Sequence, residues 1–141
     1  ILEFLPLSNI VKISDEELEF ITGIKDEQEA LKSLFVGNVE VVIYTKGTNG
    51  SDFITKERKV TVPSFTVKAE DTTGAGDSYI GSFLYQVAQT VNTLEELVQL
   101  DEVKVTEIMT FSAATAALTV SKKGAIAALP TKEAVIEMMN R

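Results

Sequence analysis

The sequence predicts an α/β fold in which a sheet is covered by helices. Three observations carry that prediction. Runs such as Val39 to Thr45 (VEVVIYT) have the β-branched density of a buried strand. Stretches of helical spacing, two of them opened by a capping residue, separate and follow these runs. The 141 residues, 45% of them hydrophobic, are enough to bury the core of one domain.

The elements follow in order. Asn9 to Ile13 (NIVKI) reads as a short buried strand. A helix follows, capped by Ser14 or Asp15, with Glu17 spaced for a capping box with Ser14, and it stops near Thr22-Gly23. Asp26 caps a second helix through about Phe35, and the strand Val39 to Thr45 comes next. Lys46 to Ser51 (KGTNGS) is a turn marked by Asn-Gly, leading into short strands at Asp52 to Thr55 and Lys59 to Val62 around the polar KERK. Pro63 ends the sheet pattern.

An amphipathic helix runs from the glycine-rich turn at Gly74 to about Gln89, and a short one is expected around Leu94 to Leu100. From Asp101 to Lys122 apolar residues recur at helical spacing, and the alanine-rich centre implies close packing against the sheet. Ala113, Ala116 and Ala117 read as packing residues. Lys123-Gly124 closes this helix, and a final helix starts with Thr131 after Pro130. No repeat or linker divides the chain, so one domain, or part of one, is expected.

Composition removes whole classes of chemistry. With no cysteine and no histidine, these residues offer no thiolate, no disulfide and no imidazole, leaving carboxylates, hydroxyls, amines and backbone dipoles. A net charge of −8 argues against a nucleic-acid footprint, which needs a basic stripe. No uninterrupted apolar run of membrane-spanning length is present, and ILEFLPLSNI lacks the features of a signal peptide. The expected setting is soluble and cytoplasmic, with a plastid as the other compartment in keeping with it. The apolar Ile1 in place of an initiator methionine reads as a boundary within a longer chain.

AEDTTGAGDSYIGSFLYQVA, from Ala69 to Ala88, holds the strongest chemical signal. A helix N-terminus presents unpaired N–H groups and the positive end of the macrodipole, and Gly74, Ala75 and Gly76 let an anion approach that backbone. Phosphoryl transfer needs such charge stabilisation plus a carboxylate to orient and deprotonate the acceptor hydroxyl, and Asp77 stands in the same turn. The competing reading is a tight turn whose acid complements the helix dipole. The stretch is no Walker A loop, since no Gly-Lys-Ser/Thr follows, and no dinucleotide fingerprint, since Tyr79 stands in the third glycine's place.

Asp71-Thr72-Thr73-Gly74-Ala75-Gly76-Asp77, followed by Ser78-Tyr79 and Gly81, resembles the C-terminal signature of the ribokinase, or PfkB, family of carbohydrate kinases. KISDEELEFITG (Lys12 to Gly23), YTKGTNGS (Tyr44 to Ser51) and SKKGAIAALPTKEAV (Ser121 to Val135) resemble further family motifs in the same order, in wording similar to the fructokinases. The resemblance covers essentially the whole chain, residues 1–141, but only the C-terminal, nucleotide-binding half of such a domain. It implies a ribokinase-like sheet covered by helices, with the N-terminal half and lid lying outside.

The same resemblance implies roles. Asp77 matches the catalytic base, and the backbone of Gly74, Ala75 and Gly76 the anion hole. Thr45, Lys46, Gly47 and Gly50 match the loop along the phosphates and ribose of ATP, against the alternative of a plain hairpin turn. Glu17 matches a glutamate that organises Mg²⁺, although Ser14 replaces the asparagine many members carry, and a capping box explains the same pair. Asp71, with backbone carbonyls of Thr73, Thr119, Lys122, Gly124 and Ala128, matches a monovalent-cation site suited to K⁺. Ser112 falls at a position of the adenine pocket.

The implied activity is transfer of the γ-phosphoryl group of ATP to a hydroxyl of a hexose, D-fructose in the first place. A ribose or nucleoside kinase, a silent assembly subunit and a plain interaction domain are the alternatives. The implied partners are the sugar, ATP, the missing N-terminal half and a second copy of the full-length chain.

Overall fold

The computed structural model describes residues 3–122 and 129–141. Within them the chain runs β1 (Ile10–Ser14), α1 (Asp15–Thr22), α2 (Glu27–Ser33), β2 (Val41–Thr45), β3 (Ser51–Ile54), β4 (Lys59–Val62), α3 (Ala75–Thr90), α4 (Leu94–Val98), α5 (Glu102–Val120) and α6 (Lys132–Met139). The sheet has the order β1-β2-β3-β4. β1 and β2 are parallel, joined through α1 and α2, while β2, β3 and β4 form an antiparallel meander.

Side-chain alternation along the strands feeds two cores. Val41, Ile43, Phe53, Val60 and Val62 point to one face and pack with Tyr79 and Phe83 of α3 and Val105, Ile108 and Met109 of α5. Ile13, Val42, Tyr44 and Ile54 point to the other and pack with Leu18, Ala30 and Leu31 of α1 and α2. β2 therefore has no solvent face, which is why its sequence is continuously apolar rather than alternating.

The helix starts are local chemistry. Ser14, Asp26, Thr93, Asp101 and Thr131 each accept a backbone N–H of the first turn of their helix. The expected elements are all present, with shifted ends. β1 reaches Ser14 and β3 begins at Ser51, because Ser14, Thr45 and Ser51 pair in register across the sheet. α2 stops at Ser33, two residues short of Phe35, as the chain bends toward Gly37, whose φ of 55° favours glycine.

The alanine-rich centre of α5 corrects a simpler expectation. Ala113 faces the sheet-side core, but Ala114 and Ala117 pack with Val135 and Met138 of α6 in a third cluster. Small residues are needed wherever another backbone comes close, and α5 is approached from several sides. By length and composition α5, with a mean hydropathy of 1.2, would suit a membrane, yet 56% of that stretch is buried inside the protein, as befits a core helix. It ends at Val120 with Ser121 as cap; the closure expected at Lys123-Gly124 lies outside the described residues.

Phe83 is fully buried and meets Phe53 at 6.4 Å between ring centroids. Phe83→Ala is expected to cost about 3–5 kcal/mol of folding stability, read as a lower denaturant midpoint at an unchanged slope.

Candidate functional site

β1 and β2 run the same way, so their carboxyl ends, at Ser14 and Thr45, lie side by side. In open parallel sheets ligands bind just beyond such ends. A cleft of about 550 Å³ opens there, bounded by the loop after β2, the segment after β4, the first turn of α3 and one side of α5. Hydroxyl residues Ser14, Thr45 and Ser51 form its floor, while Phe65, Val67, Ala113, Ala116, Ala117 and Val120 make an apolar wall. The three alanines assigned to packing thus also line the cleft.

The loop after β2 is tightly made. Gly47 and Gly50 have φ of 54° and 90°, and Lys46 N–H donates to Gly50 carbonyl at 2.9 Å. A Cβ on Gly50 would stand 2.3 Å from the Val62 carbonyl oxygen, so this position admits no side chain. Ser64 hydroxyl donates to Thr48 carbonyl at 2.8 Å, holding the loop's far side. Thr45, Gly47 and Gly50 line the cleft; Lys46 does not. Its ammonium sits 3.1 Å from a carboxylate oxygen of Asp52, which is buried and also accepts from Thr61 at 2.8 Å. The carboxylate partner lies across the hairpin, so Lys46 serves the loop's own framework.

Gly74 caps α3 with φ of 83° and makes no side-chain cap bond to the helix's first turn. Ala75 and Gly76 face the cleft, and Asp77 is exposed in the same turn, off the lining. One turn on, Tyr79 is buried with its hydroxyl 2.5 Å from that of Ser51, tying the start of α3 to β3. Burial pushes the Tyr79 hydroxyl well above the ordinary tyrosine range, so it is a structural bond and no acid–base group at neutral pH.

The remaining predicted residues fall differently. Ser112 is fully buried and donates to the Ile108 carbonyl at 3.0 Å, so it does not reach the cleft that its neighbour Ala113 lines. Glu17 closes the capping box: its carboxylate accepts from Ser14 N–H at 2.8 Å and its own N–H donates to Ser14 Oγ at 3.3 Å. That backbone hydrogen bond, with smaller help from the Ser14 hydroxyl and Lys12, holds the Glu17 carboxyl below the ordinary 4.5. Glu17 lies off the cleft, where Asp15 and Glu16 stand instead.

Asp71 accepts from Thr73 N–H at 2.9 Å, and the N–H groups of Glu70 and Asp71 donate to Val120 carbonyl. This brings the Asp71 loop to the end of α5, beside Thr119, whose hydroxyl is spent on Thr115 carbonyl, and near exposed Lys122. Gly124 and Ala128 lie outside the described residues. Among the described residues no cluster of three or more acidic, histidine or cysteine side chains could hold a metal unaided.

The sequence profile of the pfkB family carbohydrate kinases matches residues 1–132. The chain belongs to this family. Relatives include fructokinase-2 of Solanum lycopersicum, 40% identical over 133 residues that cover 94% of this chain and 39% of that protein. A probable fructokinase-2 of Arabidopsis thaliana is 42% identical over 125 residues, 88% of this chain and 36% of the relative. Among solved structures, the fructokinase of Xylella fastidiosa with bound ATP superposes with a TM-score of 0.88 at 28% identity, over 96% of this chain and 44% of that one. The Vibrio cholerae O395 fructokinase in its fructose, ADP and calcium ion bound form gives 0.85 at 28% identity, over 98% and 43%. The pfkB chain described here thus spans 39% of its tomato relative and 44% of the Xylella structure, and its fold is that of the ribokinase-like kinases.

Two outcomes follow for this pfkB chain. Lys46→Ala leaves the buried Asp52 carboxylate without its cation, held only by the Thr61 hydroxyl, and is expected to cost about 3–5 kcal/mol of stability, measured by chemical denaturation. Glu17 has a lowered folded pKa, so its contribution is present above the unfolded value near 4.5 and fades as pH falls through the folded one. A Glu17→Gln variant should therefore lag the parent at neutral pH and converge with it in acid, read as unfolding midpoints across pH.

Proposed function

We propose that the protein carrying this chain transfers the γ-phosphoryl group of ATP to a hydroxyl of a hexose, D-fructose in the first place. The supporting observation is convergence: two parallel strand ends, a glycine loop and the first turn of α3 open on one cleft that is polar on its floor and apolar on one wall. The apolar wall suits a nucleobase, and the loop Thr45 to Gly50 suits the ribose and phosphates. The similarity to fructokinases supports the choice of sugar.

In this reading the amides of Gly74, Ala75 and Gly76 take the charge of the migrating phosphoryl group, and Asp77 receives the proton of the acceptor hydroxyl. Little covalent work is asked of the protein; position and charge carry the reaction. Mg²⁺ bound with the nucleotide would neutralise phosphate charge, and K⁺ would sit against the Asp71 loop at the end of α5. The sugar is held chiefly by the part of the protein beyond these residues, and the chain is the C-terminal, nucleotide-binding portion of one ribokinase-like domain.

The test is ATP-dependent phosphorylation of fructose, ribose and adenosine by the full-length protein with Mg²⁺ and K⁺, alongside Asp77→Asn. A fructose-selective rate is expected, falling by roughly 10²–10⁴-fold in the variant. Turnover indifferent to residue 77, in a variant of unchanged folding stability, would return Asp77 to a helix-dipole acid.

A further inference from the structure

We propose that Lys12 is a phosphate-contacting residue of the cleft, carried from β1 to the first turn of α3 to pair with the outermost phosphate of the nucleoside triphosphate. The inference rests on the reading of the cleft as an ATP site and adds a residue to which neither the motifs nor the family resemblance assigns a role.

Alternation along β1 is the starting point. Val11 and Ile13 pack in the core under α1 and α2, whereas Ile10 packs in the core under α3 and α5. Lys12 shares the face of Ile10, so a charged residue fills an inward place in an apolar strand. Charges are kept in such places only with a partner.

Its side chain ends at the turn already described. A Cβ built on Gly76 would lie 2.7 Å from Lys12 Nζ and 3.4 Å from Cε. The ammonium thus occupies the volume a side chain at position 76 would take, and it also lines the cleft. This gives glycine at 76, which is helical with ordinary φ, a second reason to be small.

The protein compensates that charge poorly. The nearest carboxylate oxygen, Glu17 Oε2, is 4.0 Å away, at the outer limit of an ion pair, and is already engaged by Ser14 N–H at 2.8 Å. The other neighbour is the N-terminus of α3, the positive end of a 16-residue helix. Cations are favourable at helix C-termini and unfavourable here. Asp15 and Glu16 also line the cleft and Asp77 stands in the first turn of α3, but among the described residues only Glu17 forms an ion pair with the ammonium, so an anion between the ammonium and the helix start completes the arrangement. A compact ammonium with three donors suits a phosphoryl group that moves between two oxygens, because it follows a charge without fixing a plane.

Position decides which phosphate. The loop Thr45 to Gly50 flanks the cleft on the β2 side and α3 begins on the other, so Lys12 stands at the α3 end with the anion-hole amides. It should therefore see the phosphate that ATP has and ADP lacks.

The test is calorimetric titration of ATP and of ADP into the full-length protein and into Lys12→Met, Lys12→Gln and Lys12→Arg, with kcat measured on the best sugar. Methionine suits the apolar face, and glutamine supplies a second neutral variant. Loss of ATP affinity by about 10- to 100-fold is expected in both neutral variants, with ADP affinity unchanged, a fall in kcat, and partial recovery of both with arginine. Equal losses for ATP and ADP, or none for either, would overturn the assignment of Lys12. Binding of neither nucleotide by the unsubstituted protein would instead overturn the reading of the cleft, and the assignment with it.

Discussion

A strand without a solvent face organises this molecule. β2 sends Val41 and Ile43 into one core and Val42 and Tyr44 into the other, so helices must cover both sides of it and neighbours must pair along both edges. A slip of one residue would exchange two cores that are filled by different helices, which pins the register of β1 and β3 as well. Once that register holds, Ser14, Thr45 and Ser51 are level with one another, and the floor of the cleft follows from the pairing of the sheet.

The polar groups around that floor divide into those that hold the frame and those left facing the cleft. Lys46, Asp52 and Thr61 satisfy one another within the hairpin, and Tyr79 and Ser51 join the first turns of α3 to β3. Every one of these contacts stiffens an element that ends at the cleft, so amides at the start of α3 and in the loop after β2 are presented without needing to be reorganised. In the proposed reading, preorganised donors of this kind carry most of the electrostatic benefit in phosphoryl transfer.

The fold was largely legible in the residues. Strand composition, Ser14 with Glu17, Asp26 and Thr131 each announce an element through local chemistry, and each is found in place, while Asp101 adds a cap that the apolar spacing alone did not name. The glycine turn before α3 and the loop after β2 were legible for the same reason, since backbone freedom at Gly74, Gly47 and Gly50 is written in the residue type. What could not be read is whatever depends on who lies opposite. Lys46 belongs to a buried acid across a hairpin, Ser112 turns back on its own helix, and the alanines of α5 serve helix packing and the cleft together. Lys12 carried a signal, a charge in an apolar strand, but the face it takes depends on which helices cover which side.

The pairings of the sheet differ in how much chain lies between the partners. β2, β3 and β4 are joined by tight turns and close small loops, whereas β1 reaches β2 only after two helices have been laid between them. Long-range parallel pairing is the slower step, because its loop must close before any contact rewards it. Pairing β1 with β2 therefore closes the longest loop in the sheet, and in the proposed reading of the cleft that same closure brings Lys12 and Ser14 to it, so the site is tied to the pairing with the largest closure entropy.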